Sequence, residues 1–304
     1  MATRKVGFLH NRTKASFQLH YAAFVSRLHD FIEEEDVVIV EKWAGDHLGK
    51  TLQEHAKDLV KQGMDVMVAA GGPQTALAAQ KATKKIPIVF TPVTDPVGLK
   101  LVRSLDEPKG NLTGIAGMTS ELDVTRLQLL RELLGNDSAT IGVLINKNRP
   151  GVKDHLKKLG AAASTIGVGL ANMVVESLAD INAAFKSFKG DEPDAFLVTA
   201  DSLFNDLRKK VVQFPKKKPA IYQWREFAEA GGLMSFGPDI IEAYKKTGEY
   251  VGHILNGDKP WNLPVSLPDR FELVINLRVA LADKINIPAS LLSRAEFVHS
   301  RLRT

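Results

Sequence analysis

The chain has 304 residues, of which 44% are hydrophobic and 25% are charged, and its formal net charge is +5. This length suits two domains of about 150 residues each. The absence of cysteine excludes disulfides, thiolate catalysis and cysteine-ligated metals. No apolar run reaches the ~18 residues that a membrane-spanning helix needs. The basic run at 216–218 has no interleaved aromatic residues, so we expect no nucleic-acid partner.

Short apolar runs alternate with amphipathic helical patterns in the first third of the chain. The runs are typical of strands at 5–9, 36–40, 65–70 and 87–91. They are almost continuously apolar, as expected when helices cover both faces of a sheet. Strand–helix alternation at this spacing predicts a parallel sheet with right-handed crossovers.

The same alternation begins again after residue 140. Strands are predicted at 140–146, 171–177, 194–200 and 219–222, then at 231–239 and 271–277. The tail does not continue the second lobe regularly, which indicates that the chain crosses between lobes more than once, near 117–121, 234–238 and 262–270. The predicted fold class is α/β, with two Rossmann-like lobes that have parallel sheets.

A glycine turn joins the third strand to an alanine-rich helix within 66–82. It has neither the lysine of a P-loop nor the GxGxxG spacing, which argues against nucleotide binding. Gly71 and Gly72 permit positive φ or close approach of a ligand. The amides of Gln74 and Thr75 at the helix start favour an anion, either a carboxylate or a phosphate. The alternative is a plain strand–helix turn.

Polar and aromatic residues also follow later strands, at the edge where open α/β sheets bind ligands. The candidates are Thr94, Asp95, Asp201, Ser202, Tyr222 and Trp224. An aspartate facing a helix N-terminus suits a zwitterion, because the helix takes the carboxylate and the aspartate takes the ammonium. The alternative for each aspartate is a role as the cap of its own helix.

Three segments carry a resemblance to a known family. Residues 87–134, 226–265 and 271–298 closely resemble the solute-binding proteins of ABC importers, in the subgroup with tryptophan- and tyrosine-type members. The likeness covers most of the chain in the same order. It implies a type I periplasmic-binding-protein fold, with two lobes joined by three crossing segments and a ligand cleft between them. The expected lobes are 1–118 plus 236–264, and 119–235 plus 265–304.

By position, the family's binding loops fall on 71–75, 93–96 and 199–202. The family usually has a hydroxyl residue where this chain has Gly72. The first loop adds Asn11 and Arg12 as candidate contacts, and Arg12 is suited to a two-pronged pairing with a carboxylate.

The resemblance implies an extracytoplasmic solute-binding protein that captures a small carboxylate-bearing ligand, such as an amino acid (aromatic ones included) or a related metabolite. The implied partners are an ABC permease and its ATPase. We expect a monomer in the periplasm or at the cell surface, whose signal peptide is absent from this chain, with no metal, cofactor or catalytic residue. One alternative is the ligand-sensing domain of a receptor or regulator. Another is an α/β enzyme acting on a phosphorylated substrate, for which no base–nucleophile pair is visible.

Overall fold

The computed structural model describes residues 3–45, 50–117, 119–136, 138–188 and 192–299. The chain forms two compact units. Unit 1 comprises Met1–Met118 and Ile240–Asp269, and unit 2 comprises Thr119–Asp239 and Arg270–Thr304.

Within the described residues, the strands are β1 Arg4–His10, β2 Val37–Trp43, β3 Val66–Ala70, β4 Ile88–Val93, β5 Leu112–Ala116, β6 Thr140–Asn146, β7 Gly169–Val175, β8 Ala195–Val198, β9 Ala220–Tyr222, β10 Met234–Pro238, β11 Phe271–Asn276 and β12 Ala295–Val298. The helices are α1 Gln18–Leu28, α2 Lys50–Lys61, α3 Pro73–Ala82, α4 Thr119–Leu134, α5 Val152–Ile166, α6 Leu178–Ser187, α7 Ser202–Asp206, α8 Arg208–Val211, α9 Arg225–Glu229, α10 Ile240–Leu255, α11 Leu277–Asp283 and α12 Ala289–Leu292. Short 3-10 helices lie at Ala15–Phe17, Glu34–Asp36 and Pro260–Asn262.

Unit 1 has a parallel sheet of order β2-β1-β3-β4-β5. Its core combines the inward side chains of the strands with α2 and α3. Helix α10 packs closely on α1, and the contact leaves no room for a side chain at Gly248. A Cβ there would lie 2.5 Å from the carbonyl oxygen of Phe24. Glycine at this position therefore allows the later segment of the chain to complete unit 1.

Unit 2 has a sheet of order β12-β11-β10-β9-β8-β6-β7. Its pairs are parallel except for β10 and β11, which run antiparallel, so the predicted α/β class with parallel sheets is confirmed and this one pair is an exception. Helix α4 supplies Leu127 and Leu130 to the core on one face of this sheet. The chain thus has two α/β units with mostly parallel sheets.

The chain passes from one unit to the other at 118/119, 239/240 and 269/270. The predicted boundaries between the lobes were 118/119, 235/236 and 264/265. The second boundary lies later because β10 pairs with β9 and β11 up to Pro238, which keeps 236–239 in unit 2. The third lies later because the Val265 amide donates to Leu105 O at 2.7 Å and Ser266 bridges to Ile115. Both are contacts within unit 1.

The longest described helices, α4 and α10, have 16 residues each. Among the described residues, no helix has the length and apolarity that crossing a membrane would require.

Candidate functional site

In unit 1 the carboxyl ends of three parallel strands lie side by side. His10 of β1 is paired with Ala70 of β3, and Ala70 is paired with Thr91 of β4. The loop that starts at Asn11 and the turn that starts at Gly71 therefore leave the sheet next to each other. This edge is where open α/β sheets bind ligands.

Asn11 and the β3–α3 turn are joined directly. The Asn11 side chain donates from Nδ2 to Gly71 O at 3.0 Å and to Gln74 Oε1 at 3.2 Å. Gly71 has φ of 90°, and a Cβ there would lie 2.1 Å from Asn11 Oδ1. Only glycine satisfies both the backbone conformation and the close approach. Three of the candidate residues, Asn11, Gly71 and Gln74, are thus brought together.

Gly72 is constrained by its backbone and not by its neighbours. It is the N-cap of α3 with φ of 106° and ψ of −165°. A Cβ there would lie 3.8 Å from Pro92 O, which is an ordinary van der Waals contact. This region of φ/ψ space is essentially restricted to glycine. A hydroxyl residue at this position would need a different turn, so the departure from the family pattern is coupled to the backbone geometry of the β3–α3 turn.

The start of α3 combines several features that favour an anion. Pro73 occupies the first helical turn, where it leaves no amide unsatisfied. Thr75 is fully buried, and its Oγ1 has no hydrogen-bond partner among the described residues. Arg12 is 2% exposed and brings a buried positive charge to the loop beside this turn. The helix dipole and the guanidinium both favour negative charge.

A neutral histidine anchors the loop that carries Asn11 and Arg12. Burial is the main cause that lowers the pKa of His10 well below its ordinary value, and His20 and Arg12 lower it further. The Arg12 amide donates to His10 Nδ1 at 3.0 Å. The remaining proton therefore lies on Nε2, 3.1 Å from the Tyr244 hydroxyl oxygen, to which it donates. Burial also raises the pKa of Tyr244, so this pair is uncharged at neutral pH.

Asp95 and Thr94 follow β4, but the Asp95 carboxylate already has a structural partner. Its Oδ1 accepts from the Gly98 amide at 2.9 Å, and the backbone of Asp95 has φ of 50°. Asp95 therefore closes its own turn, and it caps no helix, because the described segment between β4 and β5 contains none. Thr94 is half-buried beside it.

In unit 2, Asp201 is a helix cap. Its Oδ1 accepts from the Leu203 amide at 2.8 Å at the start of α7, and from Asn146 Nδ2 at 2.9 Å. Ser202, the next residue, is buried. Asn146 was missed by the sequence analysis, although it is a polar residue that ends an apolar strand, like the residues that were selected.

Tyr222 and Trp224 flank the end of β9. The Tyr222 ring is fully buried and stacks on Phe227 with a centroid distance of 5.1 Å. A Cβ at Gly232 would lie 2.6 Å from this ring, so the ring fills a tight space inside unit 2. Trp224 is the N-cap of α9 and is 6% exposed.

Two buried amides of unit 2 were not predicted. Gln223 directly follows β9 and Asn205 lies on α7, and both are fully buried. Neither side-chain amide has a hydrogen-bond partner for its oxygen or its nitrogen among the described residues. Leaving such groups unsatisfied is costly, and a ligand that donates to and accepts from them would remove that cost. The position of Gln223 after a strand was an available signal in the sequence.

A buried charge cluster positions the segment that carries Gln223. Arg126 is fully buried, forms an ion pair with Asp123, and donates from Nε to Phe236 O at 2.7 Å and from Nη2 to Gln223 O at 3.4 Å. His155 Nε2 lies 3.0 Å from Asp123 Oδ2. Arg126 therefore connects α4 to the ends of β9 and β10.

The charge cluster also determines the ionisation of Asp123. Burial by itself would raise the pKa of this carboxyl. The Arg126 guanidinium, His155 and Arg149 outweigh burial and hold its pKa below the ordinary value. Asp123 is thus a buried carboxylate that depends on its cationic neighbours. In the described part of the chain, no group of three or more histidines and acidic residues is arranged to hold a metal.

Comparison with known proteins identifies the family. The family described as "ABC transporter substrate binding protein" matches residues 23–299. The chain is 31% identical over 228 residues to a tyrosine-binding protein of Clostridioides difficile (strain R20291), a match that covers 74% of this chain and 65% of that protein. The matched segment thus spans slightly less than two thirds of the relative's length.

Solved structures of other proteins are similar to this chain along nearly its whole length. An ABC domain from Streptococcus pneumonia in complex with L-Trp is similar with a TM-score of 0.85 and 27% identity, covering 96% of this chain and 99% of that one. A conserved domain protein from Vibrio cholerae is similar with a TM-score of 0.88 and 27% identity, covering 97% and 99%. With its two mostly parallel α/β units, the chain has the type I periplasmic-binding-protein fold and belongs to the ABC transporter substrate binding protein family, which is a family of binding proteins and not of enzymes.

Proposed function

We propose that this protein is the substrate-binding component of an ABC importer and that it binds an amino acid. The observation that carries the proposal is the β3–α3 turn. The N-terminus of α3, the buried Arg12 and the Thr75 hydroxyl all lie at the same edge of the unit 1 sheet. These groups suit an α-carboxylate. Similarity to a tyrosine-binding protein and to a domain in complex with L-Trp supports an amino acid, aromatic ones included.

In this proposal the carboxylate accepts from the amides of Gln74 and Thr75 and from Thr75 Oγ1, and it pairs with Arg12. Because Gly72 lacks the hydroxyl that the family usually has there, Thr75 and Arg12 supply the side-chain contacts instead. Asn11 acts indirectly, since its hydrogen bonds to Gly71 and Gln74 hold the turn in shape.

Unit 2 completes the binding of the ligand through its buried amides. Oxygens of Asn205 and Gln223 accept from the ammonium group, which satisfies polar atoms that have no partner among the described residues. Trp224 supplies an apolar surface after β9, and Asp201 keeps the adjacent helix capped. Asp95, Thr94, Ser202 and Tyr222 then serve the framework of these segments. Closure of the two units over the ligand is the expected mechanism.

A thermal-shift and calorimetry series tests the ligand class. L-tyrosine and L-tryptophan are compared with tyramine and tryptamine, which have the same rings and amines but no carboxylate. A ligand at 100 times its Kd stabilises the folded protein by about 2.7 kcal/mol, so the amino acids should raise Tm clearly and the amines should not. Equal shifts for tyramine and tyrosine, or no shift with any amino acid, would contradict the proposal.

Thr75→Val tests the carboxylate position with little change in shape. Since Oγ1 has no partner among the described residues, the free energy of unfolding should change little. Affinity for the amino acid should fall by about tenfold through the lost hydrogen bond. Thr165→Val on the exposed face of α5 is the control and should leave affinity unchanged. A Thr75→Val protein with wild-type affinity would place the carboxylate elsewhere.

We further propose that its partners are an ABC permease and its ATPase, that it resides outside the cytoplasmic membrane, and that it is a monomer. The family supports the partners and the location. Reconstitution of the permease and ATPase encoded beside this protein's gene tests the partnership. The loaded protein should stimulate ATP hydrolysis more than the empty protein does. No stimulation, together with retained ligand binding, would favour the ligand-sensing alternative.

A further inference from the structure

An open pocket lies in unit 1 at the opposite end of α3 from the candidate ligand site. It has a volume of about 510 Å³. Its walls come from Gln80 on α3, Lys84 just after this helix, the connection between β4 and β5, and Leu112 at the start of β5. An α-helix rises 1.5 Å per residue, so Gln80 is about 9 Å further along the axis than Gln74. The pocket is therefore a separate feature.

The charged side chains that line this pocket are all positive. Its lining contains Lys84, Lys100, Arg103 and Lys109 and no acidic residue. Among the described residues, one of these cations forms an ion pair, in which Lys109 Nζ lies 3.3 Å from Glu107 Oε2 and both side chains are exposed. Three cations thus converge on one concavity without a carboxylate partner in the described part of the chain.

The pocket is built on an ordered frame. Leu101, Val102 and Leu112 are almost fully buried beneath it. Gln80 Nε2 donates to Lys100 O at 2.7 Å, which ties α3 to the β4–β5 connection. Lys100 has φ of 56°, a left-handed conformation that costs a residue with a side chain about 1–2 kcal/mol. The chain keeps a lysine at a position where glycine would be less strained.

We propose that this pocket binds a phosphate group, carried either by a small soluble phosphate ester or by the headgroup of an anionic phospholipid. Arg103 offers paired N–H donors that match phosphate oxygens, and lysines supply point charges around it. A phosphate dianion balances two cations, whereas a single carboxylate leaves more of the charge uncompensated. The apolar floor suits the carbon part of an ester or headgroup.

Two binding measurements distinguish the sources of the phosphate. Calorimetry at low salt uses inorganic phosphate and glycerol 3-phosphate, with chloride as reference. Co-sedimentation uses phosphatidylglycerol vesicles, with phosphatidylcholine vesicles as reference. Binding of the soluble phosphates without vesicles, or of vesicles without soluble phosphates, supports the proposal and names the source. Binding of neither overturns it.

A pair of charge-matched variants tests the location. Lys84→Gln with Arg103→Gln removes two charges from the pocket and should weaken phosphate binding by about tenfold or more. Lys209→Gln with Lys217→Gln removes two charges from exposed positions of unit 2 and should change it by less than about twofold. Equal losses in both variants would mean binding to the overall positive charge and would overturn the proposal. The thermal shift with amino acids should be unchanged in both, which separates this result from the proposed function.

Discussion

Units 1 and 2 both have a mostly parallel α/β sheet whose strands end at one edge. Different kinds of interaction stabilise the segments that follow these strands in the two units. Unit 1 relies on backbone conformation and on hydrogen bonds of uncharged side chains, with Gly71 at φ of 90° against Asn11, and a neutral His10 bonded to Tyr244. The buried cation of this edge, Arg12, is joined to His10 through its backbone amide. Unit 2 relies on buried charge, with Arg126 joined to Asp123 and to the carbonyls of Gln223 and Phe236.

The difference has energetic consequences. A strained glycine turn is sensitive to any added side chain, but it does not depend on a distant partner. A buried ion pair contributes little net stability while intact, but removal of one partner leaves an uncompensated charge. Substitutions should therefore reveal unit 2 as the more fragile of the two at its sheet edge.

Arg126→Met should have the largest effect. It leaves Asp123 buried without its main cation, which costs about 3–5 kcal/mol of unfolding free energy in comparable cases. Urea denaturation measures the change. Arg294→Met is the control in the same unit, since Arg294 is 53% exposed where it pairs with Glu132, and should cost less than about 1 kcal/mol. Similar costs for the two variants would contradict the central role of the buried network.

Gly71→Ala should come next and should act on unit 1. A Cβ would lie 2.1 Å from Asn11 Oδ1 at a positive φ, so we expect a loss of about 2 kcal/mol or more, together with weaker amino-acid binding. Gly63→Ala is the control, because Gly63 has φ of 68° but has no atom within 4 Å of an added Cβ. Its cost should be about 1 kcal/mol from the backbone alone. Equal costs would show that the contact with Asn11 is unimportant.

A pH series should give the smallest effect and should separate the two units. The unfolded chain protonates His10 near its ordinary pKa of 6.5 while the folded chain does not, so unit 1 loses stability as pH falls below about 6.5. The pKa of Asp123 is below its ordinary value of 3.8, so its contribution to unit 2 is lost only as pH falls below about 4.

Denaturation of the His10→Gln variant between pH 7 and 5 measures the first of these contributions. The variant should show a flatter pH dependence than the wild type over this range. His299→Gln is the control, because His299 is exposed, and it should keep the wild-type slope. A His10→Gln protein with the wild-type slope would assign the pH dependence to another group.

Ten of the described strands correspond to runs predicted from apolar patterning, and the two that were missed have physical reasons. β5 contains Gly114, where a Cβ would lie 2.1 Å from Phe90 O, so this strand depends on close packing against β4. β12 is a four-residue strand at the edge of the sheet, half-exposed or exposed throughout, so it has no buried apolar run. Neither feature is visible in hydrophobic periodicity.

The candidate site was predictable where it depends on local chain geometry. The glycines after a strand identified Gly71, and the free amides at a helix start identified Gln74. Asn11 came from the resemblance to the family's binding loops, and the structure brings these three residues together. The aspartates were ambiguous, because the same residue type suits a cap and a ligand contact. Asp201 caps α7, whereas Asp95 closes a turn between β4 and β5, and only the hydrogen bonds of the folded chain distinguish these roles.

The α/β alternation, its duplication and the turn at the start of α3 can be predicted from the amino-acid sequence, because they follow from periodicity and from the backbone freedom of glycine. Which polar residues are buried depends instead on how the chain packs. Asp123 and Arg126 are three residues apart on α4 and look like an ordinary surface pair. They are buried because α4 packs on the sheet of unit 2, and burial depends on contacts between distant segments that no local pattern records.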